Sequence, residues 1–169
     1  MAIEVRPVRP SEFENAGRVT ALAYREFVGP GESEWEEYLE RIADVGARAD
    51  RALVLVAVED GEVVGSATLE LGDRLEEEDA PLPPDEAHIR MLGVDPAARR
   101  RGVARALIDA CFERAREGGR TRMTLHTTQR MRSAQAMYEA LGFERQPDRV
   151  LPDGFVLLTF AKAIPRAGT

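Results

Sequence analysis

The chain has 169 residues, enough for one domain with a substantial core. Its 23 Lys and Arg stand against 30 Asp and Glu, a formal net charge of −7. That balance argues against general nucleic-acid binding, which needs a positive field. A single cysteine, Cys111, excludes an intrachain disulfide framework and a multi-cysteine zinc site, and no metal is expected.

The N-terminal MAIEVRPVRP carries no apolar signal region, and no run approaches ~18 apolar residues. The expectation is a cytoplasmic chain with no membrane partner. No repeat or low-complexity linker interrupts residues 1–169, which read as a single domain. Ala2 to Val8 alternates apolar and polar residues and predicts an opening strand. Ser11-x-x-Glu14 is a capping-box pattern ahead of a helix with Phe13, Ala16, Thr20, Tyr24 and Phe27 on one face. A second box, Ser33-x-x-Glu36, opens a helix with Trp35, Tyr38, Leu39 and Ile42.

Ala52 to Val58 is a continuous apolar run, as expected of a strand covered on both faces. Asp60-Gly61 signals a hairpin, and Val63 to Leu71 returns as the next strand. Gly72 to Glu86 is a polar connector with Glu76, Glu77, Glu78 and Asp79. It reads as a solvated loop, with an acidic rim for a cationic acceptor as the alternative. Ala87 to Val94 predicts a strand, and Leu107, Ile108, Cys111, Phe112 and Ala115 predict a helix ended by Gly118-Gly119. Arg122 to Thr127 is a strand. Ala134, Met137, Tyr138 and Leu141 form a one-sided helical stripe stopped by Gly142, and Phe155 to Ala163 closes the chain as a strand. An extra strand fits near Phe143–Gln146. This order implies an α/β fold, a mixed sheet with helices on both sides.

The segment IRMLGVDPAARRRGVARAL, Ile89 to Leu107, carries the chemistry. A strand runs into Arg99, Arg100, Arg101 and Gly102, and a helix follows. Helix N-termini present unpaired N–H groups and partial positive charge, so this turn suits a phosphate. Neither G-x-x-x-x-G-K-[ST] nor G-x-G-x-x-G is present, which removes the usual nucleotide loops.

Arg99 to Ala104 (RRRGVA) resembles the pyrophosphate-binding R/Q-x-x-G-x-G/A signature of the GNAT superfamily of acetyl-CoA-dependent N-acetyltransferases. IRMLGVDP is similar to that family's fourth strand, and MYEALGF to its later helix and strand entry. The resemblance implies a GNAT-like mixed sheet whose central strands splay to form an acyl-CoA slot. It also implies that backbone around Leu92, Gly93 and Val94 pairs with the pantetheine arm, with a bulge made easier by Gly93. The pyrophosphate would lie on Arg99, Arg100, Arg101, Gly102, Val103 and Ala104.

The same resemblance places Tyr138 as the general acid beside the sulfur; a core role in its apolar stripe is the competing reading. His88 stands where many relatives carry a glutamate base, and an imidazole titrates near neutrality. Glu86 and His126 compete for that role. Relatives often carry Asn seven residues before the tyrosine, where this chain has Met131. Ser133 could replace that contact, although helix N-capping suits it better. The implied activity is transfer of acetyl from acetyl-CoA directly to an amine acceptor, a small molecule or a protein amino group. A non-enzymatic acyl-CoA-binding regulator is the alternative, and a homodimer is left open.

Overall fold

The computed structural model describes residues 2–25, 33–72, 81–151 and 154–166, with backbone alone over 33–35. Seven strands form one sheet: β1 (Glu4–Pro7), β2 (Leu53–Glu59), β3 (Glu62–Glu70), β4 (Glu86–Val94), β5 (Arg122–Thr128), β6 (Glu144–Val150) and β7 (Val156–Ala163). Their order across the sheet is β1-β2-β3-β4-β5-β7-β6. Every neighbouring pair is antiparallel except β4–β5. A parallel pair needs a long crossover, supplied here by helix α4 (Val103–Glu117). Helices α1 (Phe13–Arg25), α2 (Ser33–Ala43), α3 (Val45–Ala49) and α5 (Arg132–Ala140) complete the layers. The expected mixed α/β sheet is observed. Short α3 was not anticipated, and the extra strand runs longer than expected, as β6.

Alternation along the strands gives the two faces of the sheet different jobs. Leu69, Ile89, Met123, Leu125 and Phe160 join Leu107, Ile108 and Cys111 of α4 in the main core. Close packing of α4 depends on Gly65, where a Cβ would sit 2.8 Å from Val103 Cγ1. On the opposite face α1 lies over β3 and β4. There a smaller cluster of Ala16, Val45, Val54, Val56, Val58 and Val63 seals the β2 side. Apolar residues on both faces leave β2 buried from Val54 to Glu59.

Local details confirm some expectations and correct others. Asp60 (φ 52°) and Gly61 (φ 81°) are both left-handed, as a two-residue hairpin turn of this sequence requires. The Ser11–Glu14 box does not form. Glu12 accepts the Arg9 N–H at 2.9 Å and pairs with Arg6 at 2.8 and 2.7 Å, so a 3-10 turn at Pro10–Glu12 precedes α1. The helical turn starts at Pro10 with Arg9 at its N-cap and Glu12 at N3, so Ser11 lies inside the turn and not at its cap. Ser133 is not an N-cap either, because α5 starts at Arg132 and Met131 holds the cap position. Phe27, the side chains of Ser33 and Trp35, and the acidic run Glu76–Asp79 lie outside the described residues.

Candidate active site

The parallel pairing of β4 with β5 covers only Glu86↔Arg122 through Ile89↔Leu125. Beyond it, β4 stays paired with β3 through Gly93↔Ser66 and Val94↔Gly65, while β5 stays paired with β7 to Thr128↔Leu157. The two strands therefore part, and backbone from Arg90 to Val94 faces a gap. The cause is a bulge. Thr68↔Arg90 is followed by Ser66↔Gly93, so β4 advances three residues while β3 advances two.

Met91 absorbs that extra residue at φ 53°, a left-handed conformation costing an L-residue roughly 1–2 kcal/mol. The expected role of Gly93, easing the irregularity, thus falls to Met91. Gly93 is needed for another reason: a Cβ there would come within 3.1 Å of Ala23 Cβ and 3.3 Å of Thr20 Cα. It lets α1 lie against the splayed half of β4.

At the far end of β4, the arginine segment turns sharply. Arg100 (φ 66°) and Gly102 (φ 80°) are left-handed, and Gly102 caps α4 without a side chain. Backbone N–H groups of the first turn, from Val103 onward, have no intrahelical acceptors and point out of the helix end. No acidic residue sits in that turn, and a Cβ at Gly102 would meet nothing within 4 Å. The cradle is open, electropositive and of a shape that accepts an anion.

The three arginines are not equivalent. Arg101 Nη1 lies 2.5 Å from Glu59 Oε1, which pins the turn to the end of β2. Its guanidinium is committed, and its backbone N–H is what remains for a ligand. Arg99 and Arg100 are exposed beside the cradle.

Tyr138 lies on the α4 side of the sheet, within the main core. Its ring centroid is 5.8 Å from those of Phe143 and Phe160, and the residue is 6 % exposed. Burial pushes its phenol above the ordinary tyrosine range, so the proton is retained at neutral pH. Both expected descriptions of Tyr138, core residue and site residue, are compatible with this position. Cys111 is fully buried, and burial raises its thiol to about 12, so it is no nucleophile at neutral pH.

The α1 face of the same strands is polar. His88 is 2 % exposed, with Nδ1 2.8 Å from Thr124 Oγ1. Its ring lies 4.8 Å from that of half-buried His126, whose Nδ1 is 3.1 Å from Thr159 Oγ1. Glu86 forms an ion pair with Arg122 and is committed to it. His88 and Tyr138 therefore occupy opposite faces of the sheet.

Sequence reasoning passed over Glu70, fully buried and 3.4 Å from Arg90 Nε. It also passed over the surroundings of Tyr24. The Tyr24 phenol is raised well above its usual value by burial, then by the Tyr38 and Tyr138 phenols, with Arg48 and Arg90 opposing. The phenols of Tyr24 and Tyr138 thus come within electrostatic reach of each other. Strict alternation in Ser66-Ala67-Thr68-Leu69-Glu70 was the available signal for a polar face. Near Met131, Gln135 Nε2 donates to Thr128 O at 2.8 Å and steadies the loop after β5. Ser133 is exposed in the first turn of α5.

Among the described residues no cluster of three His, Cys, Asp or Glu side chains is placed to hold a metal, and no helix is long and apolar enough to cross a membrane.

Comparison with known proteins agrees with this geometry. A family model described as Acetyltransferase (GNAT) family matches residues 17–143. The chain is 35 % identical over 109 residues to the uncharacterized N-acetyltransferase YjgM of Escherichia coli, covering 63 % of this chain and 59 % of that protein. It is 34 % identical over 90 residues to the Mus musculus protein named Probable N-acetyltransferase family 8 member 5, covering 53 % and 37 %. The matches therefore span less than two thirds of either relative. Among solved structures, the ribosomal-protein-S18-alanine N-acetyltransferase of Escherichia coli superposes with a TM-score of 0.68 at 20 % identity, covering 99 % of this chain and 97 % of that one. The PaiA N-acetyltransferase of Thermoplasma acidophilum, in complex with coenzyme A, gives 0.71 at 14 % identity, covering 94 % and 98 %.

Proposed function

Because the chain belongs to the GNAT acetyltransferase family, we propose that it transfers acetyl from acetyl-CoA directly to an amine bound on the α1 side of β4. One observation carries the reading: β4 leaves β5 after Ile89↔Leu125 and leads straight to the left-handed Arg100–Gly102 turn at the start of α4. A long ligand with an anionic end and an amide-bearing arm fits that path.

The residues present suit acetyl-CoA. Backbone of Leu92, Gly93 and Val94 holds the pantetheine arm as an added strand would. Arg99, Arg100, the N–H groups of Arg101 and Gly102, and those of Val103 and Ala104 hold the pyrophosphate. Ser133, exposed in the first turn of α5, adds a hydroxyl contact. Acetyl-CoA, when bound, supplies a thioester whose carbonyl carbon takes the amine nitrogen as the thiolate leaves.

Tyr138 donates its phenolic proton toward the departing sulfur. Its raised pKa makes it a weaker acid but guarantees the proton is present. His88 accepts the proton of the incoming ammonium through the polar face it shares with Thr124 and His126. The ammonium proton thus leaves by His88, and the second proton that the nitrogen loses on becoming an amide returns Tyr138 to its neutral form. Burial of Cys111 removes the side chain that a covalent acetyl-enzyme route would use. The chain acts as one domain in the cytoplasm on this reading.

The test is release of CoA thiol from acetyl-CoA in the presence of a broad panel of amines, amino acids and peptides. Acceptor-dependent release is expected. Acetyl-CoA binding without transfer to any acceptor would sink the enzyme reading. For the base, His88→Gln is expected to remove the acid limb of the kcat/KM profile; an unchanged profile assigns the role elsewhere.

A further inference from the structure

Helix α3 places one arginine deep in the α1 side of the molecule. Arg48 is 5 % exposed, and its Nη1 donates to Arg41 O at 2.9 Å. Its Nε and Nη2 are buried and make no hydrogen bond. A guanidinium carries five N–H donors and does not shed its charge near neutral pH, so most of this fork is left unsatisfied. The acid in electrostatic reach is Asp44, whose Oδ1 already caps α3 by accepting from Ala47 N–H at 3.2 Å. Arg90 lies in the same neighbourhood and adds a second positive charge, but it has Glu70 at 3.4 Å. The phenols of Tyr24 and Tyr38 are also in reach of Arg48, and Tyr24 is in reach of Tyr138. Helix α3 packs on α1 and β2, so this buried cationic fork stands on the α1 face of the sheet, the side on which the acceptor is proposed to bind.

Resting on the acetyltransferase reading, we infer that Arg48 binds a carboxylate of the acceptor, which makes the acceptor an amino acid or a related aminocarboxylate. The Nε–Nη2 edge of a guanidinium matches the two oxygens of a planar carboxylate side by side. The charges leave room for a carboxylate: Glu70 offsets Arg90, and Asp44 is exposed and spent on capping α3. With the carboxylate held there on the α1 face, the amine is directed toward β4 and the thioester. Arg48 is a specificity-determining residue in this scheme and touches no reacting atom.

The experiment titrates the full chain, saturated with CoA, with N-acetyl-L-amino acids and their carboxamides as product analogues. In parallel, free amino acids and their amides are tested as acceptors with acetyl-CoA. At least one acid is expected to bind about tenfold tighter than its amide, the scale of a charge-assisted pair. Arg48→Met should erase that preference and Arg48→Lys should restore part of it. For the preferred acid, KM should rise about tenfold in Arg48→Met, with kcat and the KM for acetyl-CoA nearly unchanged. Equal binding of acid and amide, or a preference that survives Arg48→Met, overturns the assignment. The binding arm needs no turnover, so the two readings fail separately. Transfer to amines without a carboxylate preference removes the Arg48 role alone. A carboxylate preference without transfer to any amine removes the acetyltransferase reading alone. Arg48→Met loses one hydrogen bond and one uncompensated buried charge, so it should melt within a few degrees of the parent. A large drop in the melting temperature of Arg48→Met, with acid and amide binding weakened equally, assigns Arg48 to holding α3 and overturns the proposal.

Discussion

Leu69 and Thr68 are neighbours on β3, yet they belong to different parts of the molecule. Leu69 points to the core under α4; Thr68 points to the α1 face, in line with Arg90 and beside Glu70. Both are almost fully buried. What differs is the company each keeps. The α4 face is a packed apolar layer that gives the sheet its stability. The α1 face carries the buried polar residues Ser66, Thr68, Glu70, His88 and Thr124, and burying polar groups is costly unless they are hydrogen-bonded. One set of strands thus supplies an apolar scaffold on one side and a polar floor on the other.

Four substitutions would break or sharpen this contrast. The largest effect is expected from Tyr138→Phe, on the apolar α4 side of the sheet. Its ring packing on Phe143 and Phe160 is kept, so melting is unchanged, while kcat falls about 100-fold or more. Single-turnover acetylation at the parental rate would remove Tyr138 from the chemistry. Because burial raises this phenol, the parent should also show no basic limb attributable to it below about pH 10, its unperturbed value.

Next comes Leu69→Ala, which deletes a 1 % exposed side chain from the core and should cost about 2–5 kcal/mol in denaturant unfolding. A loss well below 1 kcal/mol would mean the α4 face is not the stabilising one. Gly102→Val should be milder in stability, about 1–2 kcal/mol, because a β-branched residue is forced to φ 80°. Its clearer readout is a raised KM for acetyl-CoA, with Gly102→Asn closer to the parent since Asn tolerates that conformation. An unaltered KM in the valine variant would detach the turn from cofactor binding.

The smallest effect is expected from Thr68→Val. The Thr68 hydroxyl is buried without a hydrogen-bond partner, so an isosteric apolar replacement should leave stability within about 1 kcal/mol or raise it slightly. A loss comparable with Leu69→Ala would show that the two faces are not energetically distinct.

Several features were legible because they depend on local chemistry. Hydrophobic periodicity located the main strands and helices, since alternation and helical spacing report which face is buried. Asp60-Gly61 fixed a hairpin because few residue pairs accept two left-handed conformations in succession. Arg99–Ala104 announced an anion site because a glycine at a helix entrance leaves N–H groups exposed. Ser11 and Ser133 misled as caps because the helical turns begin before them, with Arg9 and Met131 at the cap positions. Gly93 marked the right strand for a reason the chain order could not reveal, the approach of α1.

The amino-acid sequence by itself determined the layered α/β class, the glycine turn at the entrance of α4 and the family resemblance, all of which rest on residues close together in the chain. Only the tertiary structure decided where β4 leaves β5, that Met91 takes the strained conformation, and that Arg101 is tied to Glu59. It alone brought Tyr24, Arg48, Arg90 and Tyr138 into one neighbourhood. Those residues come from α1, α3, β4 and α5, and strand register and helix packing set their distances. Sequence spacing encodes neither directly.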